Sequence, residues 1–257
     1  MPIPPCRQGP TFPIVRWLIA ALLALAATVS PAANSLLIWP VNPTIRPGEQ
    51  AAALWIENQG RTTAHLQLRV FAWQQLDGED DYRVQHDIVG SPPMTRIAPG
   101  QRQLVRLTRT APTPVPRELA YRVVVDEIPV QAADTAQADA PAGVRFQFRY
   151  SIPLFVLGET AAHDGPQLAW TLEQREGQTF LLVHNHGHRH ARLTGLGFRR
   201  QRGAHVPLQN AQLGYVLAGS VARWPLTDAT QAEGTLEAHV DDHRRLRTIP
   251  RMPGPDR

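Results

Sequence analysis

The chain has no lysine; all 26 of its basic residues are arginine. Any carboxylate or phosphate it binds must therefore meet a guanidinium, which holds such groups by paired hydrogen bonds. It has one cysteine, Cys6, near the start. That excludes disulfides and thiol chemistry from everything after it. A lipid-anchored reading fails too, because the cysteine precedes the apolar run instead of following it. G-x-S-x-G, a phosphate loop and a zinc-protease helix motif are all missing. The neighbouring pairs Glu57-Asn58 and Asp126-Glu127 have no nucleophile at a recognisable spacing. The sequence is therefore not that of an enzyme, and no cofactor is expected. No basic stripe with interleaved aromatics occurs, so nucleic acid is not an expected partner.

Past the first thirty-odd residues no long apolar run appears. The opening stretch, "MPIPPCRQGPTFPIVRWLIAALLALAATVSPAAN", places Arg7 and Arg16 before an apolar segment from Trp17 to Val29, followed by small residues. This is the pattern of a cleavable export signal over residues 1–33, cut after Ala32 or Ala33. The apolar segment is short for a membrane span, which needs about 20 residues. The expected product is an exported protein with no stable membrane insertion once the signal is removed.

The chain does have proline, 24 residues spread along a length of 257, and an ordinary hydrophobic fraction of 43%. Scattered proline opposes long helices and favours short strands joined by turns. Alternating segments recur with turns about every 8–12 residues, the spacing of an antiparallel sandwich. "SLLIWPVNPTI" reads as a proline-broken edge strand. "AALWIEN", "HLQLRVFAWQQ", "QLVRLTR" and "ELAYRVVVDEIPV" read as strands, and "SPPMTRIAPG" favours a cis Ser91–Pro92 bond. Residues 131–142, rich in Ala and Asp, read as a disordered loop. "LGETAAHDGPQ" marks a domain boundary. The strands after it include "LAWTLEQ", "TFLLVHNHG", "ARLTGLGFRR" and "GTLEAHVDD". The basic, proline-rich end reads as a flexible tail. No helix is expected.

"GVRFQFRYSIPLFV" alternates most clearly. Val144, Phe146, Phe148, Tyr150 and Ile152 share one face, and Arg145, Gln147, Arg149 and Ser151 the other. Such a face is either core or a surface offered to a partner. "HNHGHRH" groups His184, His186, His188 and His190. Alternate strand residues share a face and can ligate zinc, but Asn185 and Gly187 mark a turn. The four are read as solvated turn residues, with no metal assigned.

The succession "ALWIEN", "VFAW", "SPPMTRIAPGQRQLVRL", "YRVVVDEIPV", a loop, and a strand ending "IPLFV" resembles the periplasmic chaperones of chaperone–usher pili. This is the PapD-like family, and the likeness is to its archaic branch. The likeness spans residues 35 to about 245 and is stronger in the first half. It implies an all-β protein of two immunoglobulin-like β-sandwich domains, at an angle with a cleft between them: residues 34–157 and 158–245, with a tail at 246–257. It also implies a chaperone that stabilises pilus or fimbrial subunits by donor-strand complementation and delivers them to an outer-membrane usher. The donor face would be Val144, Phe146, Phe148, Tyr150 and Ile152, each contributing about 1.5–3 kcal/mol before entropy costs. The family anchors a subunit's terminal carboxylate with two basic residues, one of them a lysine. Here Pro153 stands where that base is expected. Arg122 is the first candidate for the anchor and Arg106 the second, the alternative for each being an internal salt bridge, with Asp126 or Glu127 as partner. An exported β-sandwich surface or fibre subunit is the competing reading. It would call for a single domain with an N-terminal donor extension, and this pattern shows neither.

Overall fold

The structure, a computed structural model, describes residues 36–110, 117–129, 147–200, 203–208, 213–227, 232–241 and 243–253. The export signal, the loop at 131–142, and Val144, Arg145 and Phe146 lie outside these residues.

The first half is a run of strands: β1 (Leu36–Trp39), β2 (Thr44–Ile45), β3 (Ala51–Asn58), β4 (Ala64–Leu76), β5 (Glu79–Val84), β6 (Ile88–Ser91), β7 (Met94–Ile97), β8 (Arg102–Arg109), β9 (Leu119–Glu127) and β10 (Arg149–Val156). They form two sheets, in the orders β1-β3-β8-β6 and β2-β10-β9-β4-β5, with β7 also on β4. Alternation decides which side chains meet between the sheets. Leu54 and Ile56 of β3, Leu66 and Leu68 of β4, Val105 and Leu107 of β8, and Tyr121, Val123 and Val125 of β9 are all buried in one core. The proline-broken opening does run along edges, since β1 closes one sheet and β2 the other. The expected cis Ser91–Pro92 bond is present, and Trp39–Pro40 is cis as well.

A short helix, α1 (Glu159–His163), follows. It occupies the stretch read as a bare boundary and corrects the expectation of no helix. The second half comprises β11 (Leu168–Arg175), β12 (Gln178–Asn185), β13 (Ala191–Arg199), β14 (His205–Pro207), β15 (Leu213–Val216), β16 (Val221–Pro225), β17 (Thr235–Val240) and β18 (Arg247–Thr248). Its sheets run β11-β12-β16 and β14-β13-β17-β18, with β15 also on β13. Leu181, Leu193, Phe198 and Leu236 fill a second, separate core, where Trp170 meets Phe198 edge-on at 5.4 Å. The molecule is thus all-β, two immunoglobulin-like sandwiches in sequence.

The chain end corrects another expectation. Residues 246–253 are not a loose tail. Arg247 and Thr248 pair with Ala238 and Glu237, and Ile249 is 2% exposed. The Trp170 N–H donates to Pro250 O at 2.9 Å, and the Met252 N–H to Trp170 O at 2.9 Å. One isoleucine in a basic, proline-rich string is enough to fix it, because Ile249 lies in the core that Trp170 lines.

Candidate functional site

Strand β10 is where the sequence placed the site, and its two faces differ. Ile152, Leu154 and Val156 are buried between the sheets, and Tyr150 packs half-buried against the same core. Phe148, just upstream, is 37% exposed, its ring 6.3 Å from that of Tyr150. The predicted apolar face is therefore core at Ile152 and reaches the surface at Phe148.

The backbone is equally asymmetric. Phe148 O accepts from the Glu127 N–H at 3.1 Å, which in an antiparallel ladder turns the N–H and C=O of the even residues toward β9. Those of Arg149, Ser151 and Pro153 then point away. At Phe155 that outer edge is taken up, since the Phe155 N–H donates to Pro43 O at 3.1 Å and the Leu157 N–H to Ile45 O at 2.9 Å. Between Arg149 and Pro153, no strand among the described residues pairs on that side. Pro153 offers an acceptor there but no donor. The result is a short open sheet edge, stopped at one end by β2. Such edges readily accept a foreign strand.

Arg122, on β9, lies in register with Pro153. Its strand neighbours Tyr121 and Val123 face the core, so its side chain leaves the opposite face of the sheet. There the guanidinium carbon sits 3.7 Å from the Trp73 ring centroid and 5.5 Å from that of Tyr215. Its Nε is buried without a hydrogen-bond partner. Burial pushes the nearby Tyr82 phenol up, against the Arg122 charge. The salt bridge weighed for Arg122 is not the arrangement found with Asp126. That carboxylate accepts from Arg69 at 2.6 Å and from Arg149 at 2.5 Å. Arg149 is thus engaged across the sheet. Arg106 is exposed on β8, in the other sheet, between buried Val105 and Leu107. The two candidate arginines leave opposite outer faces of a sandwich whose sheets are about 10 Å apart, so they cannot share one carboxylate.

Sequence reasoning missed the neighbourhood of Arg122. Trp73, Phe155 and Leu217 form a third apolar cluster, with Ala120 and Tyr215 against it, joining the two sandwiches. A signal was present. Trp73 and Phe155 stand on the polar face of their strands, and "IPLFV" is apolar at every position, as in a strand covered on both faces.

The histidines differ from expectation as well. His190 is no solvated turn residue. Its ring stacks on Phe155 at 3.6 Å, its backbone N–H donates to Glu118 Oε1 at 3.0 Å, and its Nδ1 lies 2.7 Å from the same oxygen. The Glu118 side chain is 1% exposed, and a carboxylate so buried needs such partners. His184 bonds Thr171 Oγ1 at 3.0 Å, while His188 lies 3.3 Å from Asp164. His184 and His186 stack on each other at 6.1 Å, so the four divide among separate neighbourhoods and do not converge on one point.

Residues 44–160 match the family described as pili and flagellar-assembly chaperone, PapD N-terminal domain. No curated protein sequence matches the chain. Among solved structures, it is similar to the chaperone of the CsuC–CsuE chaperone–tip adhesion subunit pre-assembly complex, from the archaic chaperone–usher Csu pili of Acinetobacter baumannii. Identity is 32% and the TM-score 0.71, over 85% of this chain and 100% of that one. The E. coli chaperone DraB is 21% identical, with TM-score 0.57 over 84% of this chain and 95% of that one. The Salmonella enterica complex of SafA pilin with SafB chaperone gives 17% identity and TM-score 0.58, over 82% and 91%. The last two share the fold. An identity of 32% along the full length of an archaic chaperone is more than a shared fold, and this chain belongs to the PapD-like family of pilus-assembly chaperones, on its archaic branch.

Proposed function

We propose that this protein is a periplasmic chaperone that holds pilus or fimbrial subunits by lending them strand β10, and then passes them to an outer-membrane usher. The open edge of β10 between Arg149 and Pro153 carries this reading. A subunit lying along it gains main-chain hydrogen bonds, and the apolar side chains upstream fill its groove. Phe148 is the described member of that set. Val144 and Phe146 extend it by alternation, while Tyr150 and Ile152 belong mainly to the chaperone's own core. The similar Acinetobacter baumannii chaperone was solved with a tip adhesion subunit, which supports the same class of client. The leader over residues 1–33 and the family's periplasmic setting support the location.

Arg122 anchors the client's terminal carboxylate in this reading. A strand on the open edge must stop where β2 begins, at Pro153, and Arg122 is in register there. Arg106 has no such placement.

The experiment pairs two measurements: melting of the free protein, and recovery of an archaic pilus subunit co-expressed with it in the periplasm. Phe148→Asp buries an unpaired charge in the client groove, so it should abolish recovery and leave melting nearly unchanged. Normal recovery, or melting as early as a core truncation produces, overturns the donor-strand reading. Arg122→Ala should cut recovery about tenfold or more through loss of a charge-assisted contact. Normal recovery by a folded Arg122→Ala protein moves the anchor elsewhere.

A further inference from the structure

At its upstream end, β10 is held on one side only. The ladder to β9 secures it there, and among the described residues no strand pairs with the opposite edge from Arg149 to Pro153. Strands held by a single ladder fray at their ends. Asp126 meets this weakness from the sheet face opposite the core. It stands directly across from Arg149 on β10 and from Gln67 on β4. Its two oxygens are divided between the flanking strands, Oδ1 accepting from Arg149 Nε at 2.5 Å and Oδ2 from Arg69 Nη2 at 2.6 Å. The Asp126 side chain is 16% exposed, against 69% for Arg149. One largely covered carboxylate thus ties two surface guanidinium groups that would otherwise repel each other across β9.

We infer that Asp126 is a positioning residue for the donated strand: by drawing Arg149 inward it keeps the start of β10 on β9 and sets where Phe148 emerges. This rests on the donor-strand reading above. The tie is too exposed to carry much of the global stability, since pairs of this kind seldom do. Its effect is local. With the carboxylate gone, the first residues of β10 open from the sheet several times more often and Phe148 is held less firmly, so a client would have to order it again.

The test reads hydrogen exchange in the full-length exported protein. Asp126→Asn should reduce protection of the Glu127 and Tyr150 amides roughly fivefold, with that of Val123 unchanged and the melting temperature within about 2 °C. Asp126→Glu should restore protection, because a longer carboxylate still reaches both arginines. Arg149→Gln added to Asp126→Asn should cost nothing more. Unchanged protection in Asp126→Asn overturns the inference, as does equal loss at Val123, or Asp126→Glu behaving like the asparagine variant. Recovery of the same co-expressed pilus subunit provides the second arm. Asp126→Asn should recover several-fold less, and wild-type recovery alongside a null Phe148→Asp variant overturns the inference alone. Normal recovery by Phe148→Asp overturns the donor-strand reading and leaves the exchange result to be judged separately.

Discussion

The two sandwiches turn the same corner with the same residue. From the end of β3 to the start of β4 the chain reads Asn58-Gln59-Gly60-Arg61-Thr62-Thr63-Ala64, and from the end of β12 to the start of β13 it reads Asn185-His186-Gly187-His188-Arg189-His190-Ala191. Asn58 Oδ1 accepts from the Gly60 N–H at 2.9 Å, and Asn185 Oδ1 from the Gly187 N–H at 3.0 Å. Asn58 Nδ2 donates to Thr62 O and Ile97 O at 2.7 and 2.8 Å, and Asn185 Nδ2 to Arg189 O and Val216 O at 2.6 and 3.1 Å. The backbone N–H groups of Asn58 and Asn185 reach Gln101 O and Ser220 O, beside turns whose glycines, Gly100 and Gly219, both have positive φ. What differs is what the corner carries. The first presents Gln59, Arg61 and Thr63 to solvent. The second replaces them with histidines, and the one at the Thr63 position, His190, reaches the first sandwich at Phe155 and Glu118. The asparagine frame belongs to the fold, and the histidine run is a local adaptation of that frame to the junction.

Both corners should depend most on their asparagines. Asn58→Ala and Asn185→Ala each take three hydrogen bonds from backbone groups at a largely buried corner. Each should cost about 3–5 kcal/mol in denaturant unfolding. A much smaller cost at either position would mean that the corners are alike in shape and unlike in energy. Next comes His190→Thr, which gives the second corner the first corner's residue. It removes the ring from Phe155 and a partner from Glu118, so a loss of about 2 kcal/mol is expected. The double change His186→Gln, His188→Arg should stay within about 0.5 kcal/mol, because neither side chain crosses the junction.

The smallest effect lies in pH. Burial, with some help from His186, pushes the His184 imidazole down. A lowered folded value favours the neutral ring, so its contribution is complete above about pH 6.5 and lost as pH falls through the folded value. Asp126 titrates lower. Burial opposes its ionisation, but the hydrogen bonds from Arg149 and Arg69 prevail and hold the carboxyl below the usual range. Its contribution is complete above about pH 4 and lost only as pH falls through that lowered value. Acid titration of stability should therefore show a mild decline that His184→Gln removes and a later one that Asp126→Asn removes. A single decline insensitive to both variants would contradict this separation.

Much of the fold was legible because β-sheets with one covered face write their burial into alternate residues. Leu66, Leu68 and Val70 of β4 alternate with Gln67 and Arg69 and needed no structure to assign, whereas the run Val123-Val124-Val125 of β9 marks a strand without marking its buried face. Ile249 was not legible, since a lone apolar residue among arginines and prolines has no period to betray it. The site was half legible. Phe148 stands where alternation put it, yet the same alternation runs on into the core at Ile152, and nothing in the period marks the change. Arg122 was visible as a charge in an apolar strand. Its partner was not, because indole and guanidinium meet across the sheet between residues distant in sequence. The repeat of "NQGRTTA" in "NHGHRHA" was open to view and is faint only because its shared letters are few.

Gln75 has a consequence of a different kind. Its carboxamide donates from Nε2 to Tyr215 O at 2.8 Å and accepts at Oε1 from the Leu217 N–H at 2.9 Å, serving the second sandwich as a peptide group of an adjoining strand would. Parting the sandwiches would leave both main-chain groups of that segment bare, along with Phe155 and the buried Glu118. In calorimetric terms the junction should couple the two cores, so that heating gives a single absorption peak, and two resolved peaks would show that the halves unfold independently.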